Sequence, residues 1–290
     1  MFLIPICIWS VSLVGSFRLI YKLVKLKLFK VNVVGNALTG TFLTSIGGFG
    51  MVFCNGLGII GNQGHDPKEI VPYTIFSVFT LIISFAGPVT MFSIPLAWID
   101  VCEGALKKAG AKSKGLNKAK QITMGSTFVS VLGVAALLSL GMYGGAAIFS
   151  IFIAIAVNIA YFVGSRRLIL KLDGVAVKTS SSTEGEVSTS QMIQLVCNSI
   201  NKCTCVYIPF AVLYGYYVSF NEAGKVFYLA GCFNGCYFAG FGGVFCCMLS
   251  YLKFIYKKQL VKAGTAKVSP VANTVISTVS GASKVEEEDE

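Results

Sequence analysis

The strongest constraint on this chain is a long apolar stretch near its C-terminal end. Residues 226–252 form a run of 27 amino acids without a charge, lying between Lys225 and Lys253. A helix rises about 1.5 Å per residue, so a run of this length can cross a hydrocarbon core of about 30 Å. The run is therefore predicted to be a transmembrane helix.

Small residues recur at every fourth position of this stretch, and an earlier apolar stretch shows a similar spacing. Residues four apart share one face of a helix. In lipid, such a face lets a second helix approach closely, and packing then stabilises the pair. The pattern predicts a bundle of several helices and not a lone anchor. The predicted helix-packing residues are Gly231, Gly235, Ala239, Gly243, Gly40 and Gly48.

The composition extends this interpretation to the whole chain. Of the 290 residues, 54% are hydrophobic and 13% are charged, whereas soluble domains contain about 25% charged residues. The apolar segments predict an all-α integral membrane protein, a seven-transmembrane-helix bundle that fills residues 1–252. The predicted spans are residues 1–17, 31–61, 71–99, 122–140, 145–165, 203–220 and 226–252. Residues 253–290 are predicted to be a disordered tail, basic at first and then acidic.

The basic residues are unevenly distributed among the predicted loops. With seven spans, one set of alternate loops and the tail carry five, six, five and six Lys or Arg, which is 22 of the 24 in the chain. Lys68 and Lys225 are the two exceptions. Basic loops stay in the cytosol, so the N-terminus is predicted outside and the C-terminus cytosolic. Plasma membrane and endomembrane are both compatible with this pattern.

The same distribution predicts the partners. The net charge of +11 is explained by cytosolic loops, so nucleic acid is not expected as a partner. The expected partners are the lipid bilayer and, at the basic loops, cytosolic proteins or anionic lipid. Ser181, Thr183 and Ser283 each have Glu three residues later. They are predicted acceptors of acid-directed phosphorylation, which would add charge to these segments; an unmodified linker is the alternative.

Prolines interrupt two of the predicted helices. Pro88 and Pro95 lie in the third span and Pro209 in the sixth. A proline removes a backbone donor, so the carbonyl four residues earlier loses its partner. Inside a bundle that carbonyl needs another donor. Ser84 and the hydroxyls of residues 90–93 are the nearest candidates along the third span.

The residues do not predict an enzyme, a cofactor or a metal site. No ionisable side chain lies at mid-depth of a predicted span, where a functional charge would be expected. His65 is the one histidine in the chain and falls in an outer loop. Cys203 and Cys205 form a C-x-C pair without a second ligand cluster, which is poor support for zinc. No phosphate-binding glycine loop that ends in Lys-Ser or Lys-Thr occurs.

Seven spans with an outer N-terminus are also the layout of the seven-helix receptors. The resemblance is one of layout, because residues 98–101 read Trp-Ile-Asp-Val, without an arginine after the acid, and residues 226–252 contain no proline. We therefore expect a receptor-like or scaffolding protein that differs from the rhodopsin-like group.

The alternative function is a carrier or channel for a small neutral solute. Such a protein would use polar side chains within the spans, here hydroxyls and four amides. The candidate amides are Asn36, Asn55, Asn158 and Asn234. A carrier moves solute across vesicles with no other protein present, whereas a receptor or scaffold does not.

Overall fold

The structure of the chain is a computed structural model. The structure describes residues 2–62, 73–108, 115–140, 189–219 and 227–280, and part of 149–170. Its helices are α1 (Leu3–Lys25), α2 (Val33–Asn62), α3 (Tyr73–Lys108), α4 (Leu116–Ser139), α5 (Thr189–Ser219) and α6 (Phe227–Ser280). Helical residues are also described, with gaps, between 149 and 170, here called the 149–170 segment. No strand occurs among the described residues.

All six of these helices are long and apolar enough to cross a membrane. The chain is therefore a helical multi-pass membrane protein. Several of these helices extend beyond the predicted spans: α1 runs to Lys25, α3 to Lys108, and α5 begins at Thr189. A helix does not end where its apolar segment ends, because its backbone hydrogen bonds are satisfied within the helix on both sides of the interface.

The C-terminal tail differs from the prediction in the same way. Helix α6 contains 54 residues, and at about 1.5 Å per residue it is about 80 Å long, more than twice the thickness of a hydrocarbon core. Residues 253–280, predicted to be disordered, are helical. Residues 281–290 lie outside the described part of the chain.

Neighbouring helices pack in alternating directions. The buried hydroxyls of Ser12 in α1 and Ser45 in α2 lie 2.7 Å apart, and Trp9, further back along α1, lies against Gly48, further on along α2. Helices α2 and α3 also run antiparallel, because Gly40 lies against Thr90 and the later Gly50 lies against the earlier Phe79. Helices α5 and α6 do the same: Phe210 lies against Phe233, and the earlier Cys203 lies against the later Gly243.

Helices α1 and α6, by contrast, are parallel neighbours. Trp9 is 0% exposed, and its indole Nε1 donates a 3.1 Å hydrogen bond to the carbonyl oxygen of Phe238. Its ring lies 5.9 Å from that of Phe241 and 5.7 Å from that of Phe245. Further along both helices, Gly15 faces Leu249. The first and last helices therefore close the bundle side by side, with Trp9 between them and α2.

Helix α4 presents most of its apolar surface outward. Its exposed large side chains are Ile122, Met124, Phe128, Val129 and Leu132. Exposure of this extent is unfavourable in water, but a helix at the edge of a membrane bundle contacts lipid with these groups. The surface of α4 therefore indicates contact with the lipid bilayer.

A defined turn ends α1 and leads into α2. The amide of Leu28 donates to the carbonyl of Leu23 and the amide of Lys27 to that of Val24, which is the hydrogen-bond pattern of a Schellman motif. Lys27 adopts the positive φ of 56° that the motif needs. Asn32 then caps α2, its Oδ1 accepting a 2.8 Å hydrogen bond from the amide of Gly35.

Candidate functional site

A groove of about 900 Å³ lies between the parallel helices α1 and α6. One end of the groove is apolar, and the other end carries four basic side chains, Arg18 and Lys22 of α1 and Lys253 and Lys257 of α6. We call this end of the groove the basic end. The lining residues are Ser10, Val11, Val14, Gly15, Arg18, Leu19, Lys22, Lys253, Lys257 and Leu260.

The floor of the groove depends on a glycine. A Cβ placed on Gly15 would lie 2.7 Å from Leu249 Cδ2 and 3.2 Å from Lys253 Nζ. The missing side chain thus lets the two helices approach and leaves room for the Lys253 ammonium against α1. That ammonium lies about one helical turn closer to the apolar end than Arg18 does.

The groove's positive charge has no acidic counterpart in the described part of the chain. Asp100 and Glu103 are the acidic residues described there. Asp100 forms an ion pair with Lys120, with 2.7 Å between the carboxylate oxygen and the ammonium nitrogen. Glu103 forms an ion pair with Lys107 at 3.0 Å. Both acids are on α3, and both pair with lysines outside the groove.

A second feature lies inside the bundle, at the proline break in α3. Pro95 has no amide hydrogen, so the carbonyl of Met91, four residues earlier, has no helical donor. The hydroxyl of Tyr161, from the 149–170 segment, donates a buried 2.7 Å hydrogen bond to this oxygen. Two of the predicted local donors act elsewhere: Thr90 donates to the carbonyl of Ala86 and Ser93 to that of Val89.

Three aromatic rings and a thiol lie around this hydrogen bond, and we call them the inner cluster: Trp98, Tyr161, Tyr251 and Cys197. The Trp98 ring packs edge-on against Tyr161 at 5.1 Å and against Tyr251 at 5.8 Å. Cys197 of α5 donates to the Tyr161 carbonyl at 3.2 Å. The cluster thus joins α3, α5, α6 and the 149–170 segment.

Two polar atoms of the inner cluster have no hydrogen-bond partner in the described structure, namely Trp98 Nε1 and the Tyr251 hydroxyl. Both side chains are fully buried. A buried donor without a partner costs about 1–3 kcal/mol, so the packing beside this break leaves two polar groups of the described residues unsatisfied.

The predicted packing residues occupy different surroundings. A Cβ on Gly48 would lie 2.5 Å from the Trp9 ring, and one on Gly243 would lie 2.9 Å from Cys203 Sγ. Gly40 lies directly against the Thr90 hydroxyl, whereas a Cβ on Gly235 would meet no atom of the described part of the chain within 4 Å. Ala239 is half-buried. The surroundings of Gly231 lie outside the described part.

Two close approaches in α6 were missed in the sequence. A Cβ on Gly240 would lie 3.0 Å from the backbone nitrogen of Tyr207 in α5, and one on Gly242 would lie 3.0 Å from the Trp9 ring. These glycines fall between members of the every-fourth-residue pattern. Because α6 contacts helices on two sides, one regular stripe does not identify both contact faces.

The remaining candidates are dispersed or undescribed. Ser181, Thr183 and Ser283, the predicted phosphorylation sites, and Asn158 lie outside the described residues. Of the other three amides, Asn36 is exposed, Asn55 donates to the carbonyl of Met51 in its own helix, and Asn234 is 3% exposed, with an unpartnered Oδ1.

No cluster of three or more metal-ligating side chains occurs among the residues that the structure describes. The absence of a cofactor and of catalysis remains a prediction from the sequence. Comparison of the chain with family models, with curated proteins and with solved structures gave no match.

Proposed function

We propose that this chain is a receptor-like or scaffolding seven-helix membrane protein without enzymatic activity, with its N-terminus outside and its basic loops in the cytosol. Support for a seventh crossing comes from helix directions. Helices α1 and α6 are parallel neighbours, and α5 runs antiparallel to α6. Helix α4 follows α3 in a hairpin that the Asp100–Lys120 ion pair joins.

These directions give α4 and α5 the same orientation across the membrane. A chain that leaves α4 on one side and enters α5 on the other has to cross between them. The 149–170 segment contains helical residues packed against α3 and α5 and is the candidate for that crossing. An odd number of crossings, together with the distribution of basic residues, supports an outer N-terminus.

The observation that carries the receptor-like proposal is the hydrogen bond from Tyr161 to the Met91 carbonyl at the Pro95 break. A proline break lets the part of a helix beyond it change direction. Here one long-range hydrogen bond holds the break, and unpartnered donors on Trp98 and Tyr251 lie in the same cluster. A conformational switch requires an element with two packing arrangements, and we propose that the Pro95 break is this element.

The break also connects the core to the cytosolic side in this orientation. Beyond Pro95, α3 continues through Trp98 and Asp100 to Lys108. It then leads into a loop with lysines at positions 112 and 114. Movement of this part of α3 would displace the basic loop, where an intracellular partner is expected to bind.

Tyr161→Phe tests this mechanism. The variant leaves the Met91 carbonyl buried without its donor, at a cost of about 1–3 kcal/mol. We expect amide hydrogen exchange in residues 96–108 to become about tenfold faster, with no change in residues 78–87 on the other side of the break. Tyr21→Phe is the control, since Tyr21 is exposed on α1. Equal acceleration on both sides of Pro95, or none, would contradict a switch at this position.

A carrier or channel for a neutral solute is the second candidate. Asn234 supports it, because this buried amide oxygen has no partner in the described structure and a solute donor could satisfy it. Asn36 is exposed, and Asn55 donates to a carbonyl of its own helix. These two amides therefore do not line a common solute pathway with Asn234. The receptor-like proposal therefore has the stronger structural support.

A further inference from the structure

We propose that the α1–α6 groove is a binding site for an anionic phospholipid, with the headgroup at the basic end and an acyl chain along the apolar wall. The proposal deepens the proposed function, since it relies on that orientation to assign the lipid to the cytosolic leaflet. The groove itself is independent of the orientation.

The dimensions of the groove fit a single leaflet. Its lining on α1 begins at Ser10 and ends at Lys22, which is about 18 Å of helix at 1.5 Å per residue. One leaflet of hydrocarbon is about 15 Å deep, half of the about 30 Å core. An acyl chain that lies along Val11 and Val14 would therefore bring its phosphate to the level of Arg18 and Lys22.

The chemistry of the two ends matches the two parts of a lipid. Val11 and Val14 are exposed on the outer surface of α1, where a bilayer would cover them. At the other end, Arg18, Lys22, Lys253 and Lys257 come from two helices and converge on one opening. Basic pockets between transmembrane helices on the cytosolic side bind anionic headgroups, and four cations favour a headgroup with more than one negative charge.

The competing occupant is the acidic end of the chain itself, residues 286–290. Helix α6 continues to Ser280, which therefore lies about 35 Å along the helix axis from Lys257. The ten residues after Ser280 would have to run back fully extended to reach the lysines of the groove. A lipid, in contrast, is present at the opening wherever the bundle lies in a bilayer. The geometry therefore favours the lipid over the tail.

The test uses the purified full-length protein in a non-ionic detergent, with native mass spectrometry to count bound lipid. Phosphatidylinositol bisphosphate, phosphatidylserine and phosphatidylcholine are added separately. We expect both anionic lipids to bind more tightly than phosphatidylcholine, and the bisphosphate most tightly. Soluble inositol trisphosphate should not displace the bound lipid, because it has no acyl chain for the apolar wall.

Lys253→Gln/Lys257→Gln should weaken binding of the bisphosphate lipid about 25-fold, taking about fivefold for each lysine. Lys68→Gln/Lys225→Gln removes the same charge from the two lysines outside the basic loops and should leave binding unchanged. Both variants are compared with the wild-type protein by thermal unfolding without lipid, which identifies any loss of fold.

Four results would overturn the proposal. They are equal losses in the two double variants, equally tight binding of phosphatidylcholine, displacement by inositol trisphosphate, and binding that occurs only after residues 281–290 are deleted. Because the protein is in detergent, none of these results depends on membrane orientation. Failure of the lipid site and failure of the proposed topology are therefore distinguishable.

Discussion

Replacing Trp9 with alanine is expected to cost the bundle about 3 kcal/mol of unfolding free energy. Truncation of a buried aromatic side chain costs about 3–5 kcal/mol in soluble cores, and lipid removes part of the hydrophobic contribution, which puts this site at the lower end. Trp9 fills the space between α1, α2 and α6, where it contacts Phe241 and Phe245 and faces Gly48. Truncation to alanine removes these contacts and leaves a cavity between the three helices.

The measurement is unfolding of the purified variant by a denaturing detergent titrated into mild micelles. Phe128→Ala is the matched control, since Phe128 is an aromatic side chain that is 65% exposed on α4. We expect the control to unfold close to wild type. Trp9→Phe separates packing from the hydrogen bond to Phe238 and should lie between wild type and Trp9→Ala. Equal stability of Trp9→Ala and Phe128→Ala would contradict the packing described for α1.

The second large effect is a difference in sign between two identical substitutions in α6. In Gly240→Ala the added Cβ would lie 2.7 Å from Tyr207 Cβ and 3.1 Å from the carbonyl oxygen of Cys203. Neither neighbour is the movable end of a side chain, so α5 and α6 have to separate. Overpacking of this kind costs about 1–3 kcal/mol.

Gly235→Ala places the same methyl group where no atom of the described residues lies within 4 Å. It should be neutral or stabilising by up to about 1 kcal/mol, because alanine favours helix more than glycine does. The two variants are compared by the same detergent titration. If Gly240→Ala were as stable as Gly235→Ala, the close approach of α5 to α6 at Tyr207 would be contradicted.

The helical spans could be predicted from the sequence, because a chain segment that crosses lipid has to satisfy its backbone hydrogen bonds within a helix. The uncharged run 226–252 and the flanking lysines predict a crossing, and α6 contains that run. The helix ends were less predictable, as the extension of α6 to Ser280 illustrates. Hydropathy reports where lipid ends, whereas a helix ends where its backbone is capped, as at Lys27 after α1.

Hydrogen-bond partners that are distant in the sequence could not be predicted. The pattern around Pro95 identifies a carbonyl that needs a donor, but Tyr161 is 70 residues away from Met91, and nothing local distinguishes it from other tyrosines. Trp9 is a similar case, since its partner Phe238 is 229 residues away. Spacing within one helix indicates which face is small, not which helix packs against it.

The α1–α6 groove combines both situations. The basic residues on α1 and α6 were predicted to lie on one side of the membrane. Their convergence on a single opening follows from the parallel contact of the two helices at Gly15 and Leu249, which hydropathy and charge do not specify. Charge distribution predicts the class of partner, and helix packing forms the groove that we propose as its binding site.

A glycosylation map is the most direct test of the proposed seven-span topology. The chain contains no acceptor sequence of its own, so single acceptor sites can be introduced near residues 64, 112, 181 and 221 and in the tail. Seven spans with an outer N-terminus predict modification near residues 64 and 221 and at none of the other positions. Modification of the tail would mean that the number of crossings is even or the orientation reversed, and it would contradict the proposed receptor-like layout.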